Sequence, residues 1–405
     1  MSPTELSQLV QSKSVAELAG DAVFWARLAD EYERDDSFIP LNYGYYHPAL
    51  RAVLEAEIAA AREINRRGSQ FKWLDSAPLL EATRTELAAV AGADPSEVVI
   101  TRNASEALNI VIGGVRLKAG DEIIASDQDY TAATQALEQR MREDGVVVRQ
   151  ARIPLDPATD DEVVEAFAAE MSARTRLVLV THAIHVTGHL LPARKICALA
   201  RERGIPTLVD AAHSFAQVEF SVRDLGCDFL AASLHKWLGG PLGTGLLYVR
   251  REHIPELRPL FADTVCARDD VRRFERFGNR PDSLQAGLRE AIRWHRTLGT
   301  GTKRERLRDL HRRWAEPLRA DARFRVLSPR TAERQSAIGL VTLNGIPADA
   351  LHDRLYREHR VFTTVASLGG EPALRITPGL PTSEREIDAL IEALLAVADA
   401  VAKTK

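Results

Sequence analysis

Cysteine is scarce in this 405-residue chain, with Cys197, Cys227 and Cys266 its only three. Three thiols cannot build a disulfide framework, and their spacing fits no zinc-ligand pattern, so no metal site is expected. Cys197 falls in the helical pattern ARKICALARERG and Cys227 in a turn before an apolar stretch, where each reads as a small buried hydrophobe. Cys266, in the loop-like FADTVCARDD, is the one with a claim to exposure. A charge excess is lacking too. Lys plus Arg number 53 against 57 Asp plus Glu, and a net charge of −4 argues against a polyanion-binding surface and therefore against nucleic acid as a partner. No apolar run approaches the roughly 20 residues of a bilayer span, and the start MSPTELSQLVQSKSVAELAG lacks the basic-then-apolar order of a secretory signal. The expectation is a cytoplasmic protein without a membrane partner. Repeats of fixed period and low-complexity tracts are also missing. What is present is a composition of 45% hydrophobic and 27% charged residues, close to that of an average soluble globular protein. The length exceeds the roughly 250–300 residues that a single core supports, which predicts two packed units.

The organisation comes from the order of element types. LLEATRTELAAVAG is helical and ends in Gly92, SEVVIT is a short β-rich run, and SEALNIVIGGV is helical again. DEIIAS, VVVRQARI, TRLVLVTH and PTLVDAAH read as strands, with helical TAATQALEQRMREDG and ARKICALARERG among them. Strands without polar alternation are buried on both faces, so the pattern predicts an α/β fold with a mainly parallel sheet covered by helices on both sides. FLAASLHK and GTGLLYVR are two further strands, joined by a segment too short for a helical crossover and suited to an antiparallel or irregular connection. From about residue 283 the pattern becomes less regular: helical SLQAGLREAIRWHRTLG, then basic and polar sequence, IGLVTLNG, ALRITPGL and the closing helix SEREIDALIEALLAVADAVAK. This predicts a helical arm over 1–40, a large domain over 41–282 and a smaller C-terminal α+β domain over 283–405.

In open α/β sheets, ligands collect where strands end, so polar residues that follow apolar strands carry the information. In ITRNASEALN a strand ends, Asn103, Ala104 and Ser105 follow and a helix begins; free N–H groups there suit a phosphate, or Ser105 is simply an N-cap with Glu106 and Ala107 in the first turn. In TLVDAAHS, Asp210 either caps the next helix or holds a protonated pyridine nitrogen, and His213 follows three residues on. In LAASLHKWLGGPLGTG, Ser233, His235 and Lys236 lie between apolar strands; partial burial would lower the lysine's pKa and free its amine. In PALRITPG, Arg375 lies inside an apolar run and needs a buried anion, either a protein carboxylate or that of a substrate held by two hydrogen bonds. Together these are an amine nucleophile, a pyridinium partner, a phosphate cradle and a carboxylate clamp, the parts that a pyridoxal phosphate enzyme acting on an amino acid requires.

The run VDAAHSF with LGCDFLAASLHKWLGGPLGTGLLYVR resembles the cofactor-lysine region of class V aminotransferases, within fold type I of the pyridoxal phosphate enzymes, most closely the isopenicillin N epimerase-like branch. The likeness runs from LNYGYYHP to LRITPGLPTSEREID. It implies a seven-stranded large-domain sheet, pyridoxal 5'-phosphate as cofactor, a small amino-acid substrate and a homodimer with a shared active site. By resemblance, Lys236 forms the Schiff base, Asp210 pairs with the pyridine nitrogen, and His213 stands beside a cofactor oxygen. Ser105, Ser233, His235 and the Ala104 amide hold the phosphate, Tyr130 of SDQDYTA stacks on the ring, and Arg375 clamps the carboxylate. Two positions depart from the family. His185, in VTHAIHVTGHLLP, replaces an Asn near the phenolic oxygen and is a further acid or base candidate. Asn279 replaces the Thr that reaches the neighbouring subunit's phosphate. Asn42, Tyr43 and Tyr45 of LNYGYYHP, with the loop before Arg375, are candidate substrate-pocket residues.

Racemisation, transamination and β-elimination all begin with removal of the Cα proton, for which Lys236 is the obvious carrier and His185 or Tyr130 a second acid. Cysteine desulfurases of this class carry a persulfide-forming cysteine shortly before the carboxylate-binding arginine. FTTVASLGGEPALR has none, so a desulfurase is argued down while a C–S lyase survives beside an epimerase or aminotransferase. GGPLGTG precedes a strand instead of opening a helix, which argues against a nucleotide loop. A non-catalytic protein on the same fold would be expected to lack Lys236 or Asp210. The large domain holds Ser105, Asp210 and Lys236 and the small one Arg375, so the two are expected to close over one substrate.

Overall fold

Seven strands account for the apolar runs of the first two-thirds of the chain. They are β1 (Val98–Thr101), β2 (Glu122–Ser126), β3 (Val147–Ala151), β4 (Thr175–Thr181), β5 (Thr207–Asp210), β6 (Phe229–Ser233) and β7 (Gly245–Val249). The structure, a computed structural model, describes residues 3–403. Contacts divide the chain into two compact units, a larger one of Arg51–Ala183 with Leu191–Arg296, and a smaller one of Met1–Leu50, Ile184–Leu190 and Thr297–Lys405.

The larger unit is built on one sheet of order β1-β7-β6-β5-β4-β2-β3. Pairs among β2 to β6 are parallel, and β7 runs antiparallel to both its neighbours, as its short connection to β6 dictates. Helices Ala104–Gly114, Thr131–Asp144, Asp160–Glu170 and Ala193–Glu202 supply the crossovers. The sequence reading predicts three of them and passes over Asp160–Glu170, which must exist because β3 and β4 point the same way. β2, β5, β6 and β7 are buried along their whole length. Leu177, Leu208, Ala231 and Leu247 form one core with Ala107, Leu108 and Val111 of the helix Ala104–Gly114. Each fully buried Leu or Val of this kind contributes about 1.5–3 kcal/mol.

The β1 edge of the sheet is closed by side chains. Glu275 accepts the Ile100 N–H at 2.7 Å, and Arg84 donates to the Val98 carbonyl at 2.6 Å. The two residues pair with each other at 2.6 and 3.0 Å and are almost completely buried. Backbone groups that an edge strand would leave open are thereby satisfied.

The smaller unit carries β8 (Phe324–Val326), β9 (Gly339–Leu343), β10 (Thr364–Leu368) and β11 (Glu371–Ile376) in an antiparallel sheet of order β10-β11-β9-β8. Its core joins Val341, Leu374 and Ile376 to Leu310, Trp314 and Leu318 of helix Thr300–Ala320 and to Leu390 and Leu394 of helix Glu384–Lys403. Leu41 belongs to the same core, and Ile39–Pro40 pairs in parallel with Val361–Phe362. Three short helices precede it, Pro3–Ser12, Val15–Ala19 and Ala22–Ala29. The Arg306 guanidinium lies 5.3 Å from the Trp25 ring centre, so this helical segment packs on the long helix Thr300–Ala320. Among the described residues no helix is long and apolar enough to cross a membrane.

Candidate active site

Three neighbouring strands of the larger sheet end in polar residues: Thr181 on β4, Asp210 on β5 and Ser233 on β6. The parallel register sets Thr181 opposite Asp210, and Asp210 opposite Ala231. Both faces of this sheet are covered, so the strand ends are where polar side chains escape the core.

Asp210 is 3% exposed, and Ala212 N–H donates to its Oδ1 at 2.9 Å. Burial raises its pKa, while the Ala212 amide and the Lys236 charge pull it back down. Lys236 stands in the turn between β6 and β7, half-buried beside the buried Trp237. Its Nζ is 3.0 Å from His213 Nε2 and 6.0 Å from the centre of the Tyr130 ring. Lysine, histidine and tyrosine from three separate loops are thus gathered around one point.

The helix Ala104–Gly114 is N-capped by Asn103, whose Oδ1 accepts the Glu106 N–H at 2.9 Å. The reading of Ser105 as an N-cap is therefore corrected: Ser105 lies in the first turn, because Asn103 has the extended backbone a cap requires. Ala104 N–H donates to Ser233 Oγ at 3.0 Å, so the helix start and the β6 end meet. Gly245 makes this approach possible. A Cβ there would fall 2.6 Å from the backbone N and Cα of Asn103. His235 follows Ser233 by two residues. Burial, with a smaller contribution from the Lys236 charge, pushes its pKa down to about 4, so the ring is neutral. Its Nδ1 is buried and has no hydrogen-bond partner among the described residues.

Asp129 is a residue that sequence reasoning passed over. It accepts the Ser126 N–H at 2.7 Å, the Ser126 hydroxyl at 2.8 Å and the Thr181 hydroxyl at 2.6 Å. These bonds fix the turn that presents Tyr130, which is 38% exposed. Burial nonetheless raises Asp129 to about 6, and the charge of Asp210 adds to the rise. Its one local trace is the Ser126-x-x-Asp129 spacing, which any turn aspartate can share.

The remaining candidates divide. Asn279 is exposed in the larger unit, in a loop where Arg280 donates to Glu275 at 3.1 Å. His185, Arg375, Asn42, Tyr43 and Tyr45 belong to the smaller unit. His185 is half-buried in a segment anchored by Ser336 N–H to the Gly188 carbonyl and by Leu190 N–H to the Arg334 carbonyl. Arg375 sits mid-strand on β11 between the core residues Leu374 and Ile376, so alternation turns it to the opposite face, where it is 7% exposed. Its Nη1 donates to Asn42 Oδ1 at 3.4 Å. Tyr43 is buried and Tyr45 is 74% exposed. The stretch before Arg375 is a β-hairpin and not the loop expected: Gly369 and Gly370, both at positive φ, turn β10 into β11 within two residues.

The donors fit the expected cofactor. A buried carboxylate suits a pyridinium N–H. A helix start with two serine hydroxyls and the unpartnered His235 Nδ1 suits a phosphate.

Comparison with known proteins agrees with this fit. The family model of Aminotransferase class-V matches residues 50–371. An isopenicillin N epimerase of Streptomyces clavuligerus is 32% identical over 388 residues, 91% of this chain and 97% of that protein. The apo structure of a cysteine desulfurase from Thermococcus onnurineus NA1 superposes with a TM-score of 0.82 at 21% identity, over 93% of this chain and 98% of the other. A cystine C–S lyase solved with its product cysteine persulfide gives a TM-score of 0.79 at 23% identity, over 89% and 97%. The fold is that of the fold type I pyridoxal phosphate enzymes. This chain belongs to the class V aminotransferase family and is a pyridoxal phosphate-dependent enzyme.

Proposed function

We propose that this enzyme epimerises the α-carbon of an amino acid, as the isopenicillin N epimerase-like branch of the family does. The observation that carries the reading is Lys236 Nζ placed 3.0 Å from His213 Nε2, with Tyr130 facing the same amine. Inversion needs one group to take the Cα proton and another to return one from the opposite side. Lys236 is the first of these, and Tyr130 or His185 the second. Pyridoxal phosphate, when bound, supplies the electron sink that makes the Cα proton acidic. Asp210 holds the pyridine nitrogen, Ser105, Ser233, His235 and the Ala104 amide hold the phosphate, His213 orients the amine, and Arg375 receives the substrate carboxylate. Transamination is the variant in which the proton returns elsewhere.

A second reading, C–S β-elimination, draws support from the fold likeness to the cystine C–S lyase. It needs no catalytic thiol, and the tight turn at Gly369–Gly370 leaves no loop to carry one. A homodimer, with Asn279 reaching the phosphate of the neighbouring subunit, completes the proposal. A cytoplasmic setting is supported by three cysteines that are all free thiols.

The deciding experiment incubates cofactor-loaded protein with L- and D-amino acids in deuterated water. Cα deuteration with inversion is the expected result. Keto acid formation makes it an aminotransferase, and pyruvate with a released thiol makes it a lyase. Protein that takes up no pyridoxal phosphate, with no borohydride-fixed adduct on Lys236, ends the whole reading.

A further inference from the structure

Beside Arg375 the smaller unit holds a cavity of about 300 Å³, within the size range of small-molecule sites. Its position follows from strand alternation. Ile39, Leu41 and Val361 point into the small-unit core, so Pro40, Asn42 and Phe362 project from the opposite face, the face on which Arg375 lies. Asn42 belongs to both places: its Oδ1 accepts from Arg375, and its side chain lines the cavity. A molecule anchored at Arg375 therefore meets this cavity one residue away.

The walls are rings. Phe38 and Phe362 meet edge to face at 6.0 Å between centres, and Tyr356 braces both, at 6.4 and 5.7 Å. Tyr43, Tyr45 and Tyr46 line it as well. Edge-to-face contacts of this kind are the arrangement aromatic pairs prefer. Of the three charged residues lining it, Arg34 donates to Glu386 at 3.2 Å and to the Pro381 carbonyl at 3.0 Å, Asp35 accepts the Ser37 N–H, and Glu33 is exposed.

We propose that this cavity is the substrate side-chain subsite, and that it selects amino acids with a large apolar or aromatic side chain over small ones such as alanine or cysteine. The inference rests on the reading of Arg375 as the carboxylate clamp. A small side chain leaves the rings in contact with water, whereas a phenyl group removes that apolar surface together with its own.

The test titrates full-length, pyridoxal phosphate-loaded protein with L-phenylalanine and with L-alanine, following the visible absorption of the cofactor. Phenylalanine is expected to bind roughly tenfold or more tightly than alanine, the gain from burying one ring. Phe362→Ala, at a partly exposed position, brings the ratio of the two dissociation constants towards one, and Phe362→Tyr restores it. A wild-type ratio near one, or a ratio that Phe362→Ala leaves unchanged in folded protein, overturns the subsite. Arg375→Lys separates the two ideas. If it weakens both amino acids alike while the wild-type ratio is near one, the clamp stands and only the subsite falls. If it changes neither constant, the clamp fails and the subsite fails with it.

Discussion

The two sheets of this molecule place their polar side chains in opposite ways. In the seven-stranded sheet helices cover both faces, and Thr181, Asp210 and Ser233 each stand at the last residue of a strand. In the four-stranded sheet one face forms the core, and Arg375 stands mid-strand with Leu374 and Ile376 on either side of it. In the first sheet the polar groups are admitted at strand ends; in the second Arg375 is admitted mid-strand, on a face it shares with the fully buried Leu340 and Ala373. The first arrangement gives groups held by the backbone of the strand itself, suited to chemistry. The second gives a long, buried side chain held in the middle of a strand, suited to recognition.

That contrast makes the strand-end site sensitive in rate and the mid-strand site sensitive in affinity. The largest effect is expected for Lys236→Ala, which lowers Cα deuterium exchange by about 10²–10⁴-fold, measured by proton NMR, while far-UV circular dichroism stays unchanged. A variant that retains exchange within a factor of a few breaks the assignment of chemistry to this sheet. Next is Glu275→Ala. It leaves the buried Arg84 only the half-buried Glu81 as a carboxylate partner and takes the acceptor from the Ile100 N–H, and about 3 kcal/mol of stability should be lost in urea unfolding. A loss below about 1 kcal/mol means that the edge does not depend on the pair.

Asp129 supplies a pH test. Its carboxyl titrates at about 6 in the folded protein against 3.8 ordinarily, so the fold favours the protonated form. The stability this contributes is fully present below pH 3.8 and disappears as the pH rises through 6, up to about 3 kcal/mol in all. Unfolding in urea at pH 4 and at pH 7.5 should show that fall in the wild type, and Asp129→Asn should flatten it. An equal fall in both proteins removes Asp129 from the account. The smallest effect is Arg375→Lys, expected to raise KM roughly 10–100-fold with little change in kcat. A kcat effect larger than the KM effect would merge the two sites that the comparison separates.

Legibility in the sequence follows the same division. The strand-end residues were readable because an unbroken apolar run that stops at Asp210 or Ser233 marks both a buried strand and its end. The antiparallel turn around Lys236 was readable from its shortness. Asp129 was not, because a carboxylate that accepts three hydrogen bonds looks on paper like any turn aspartate; only the fold brings Thr181 to it. The helix Thr300–Ala320 was hidden as well. Its sequence TGTKRERLRDLHRRWAEPLRA is rich in arginine, and Lys303, Arg306 and His311 are buried in it, so the apolar stripe is diluted. The cavity beside Arg375 was visible only in Asn42, Tyr43 and Tyr45 of LNYGYYHP. Its walls come from residues 33–48 and 362, and the pairing of Ile39–Pro40 with Val361–Phe362 that joins them leaves no trace in either segment alone.

The clasp of Arg84 and Glu275 has a consequence in time as well as in space. The two residues are 191 positions apart. All seven strands of the larger sheet are synthesised before Glu275 exists to seal β1, so the nascent sheet carries an open template edge until the chain has passed residue 275. Contacts of such long range also slow folding. The vulnerable species during biogenesis is therefore a nearly complete sheet with one unsealed side, and truncation just before Glu275 would produce that species permanently.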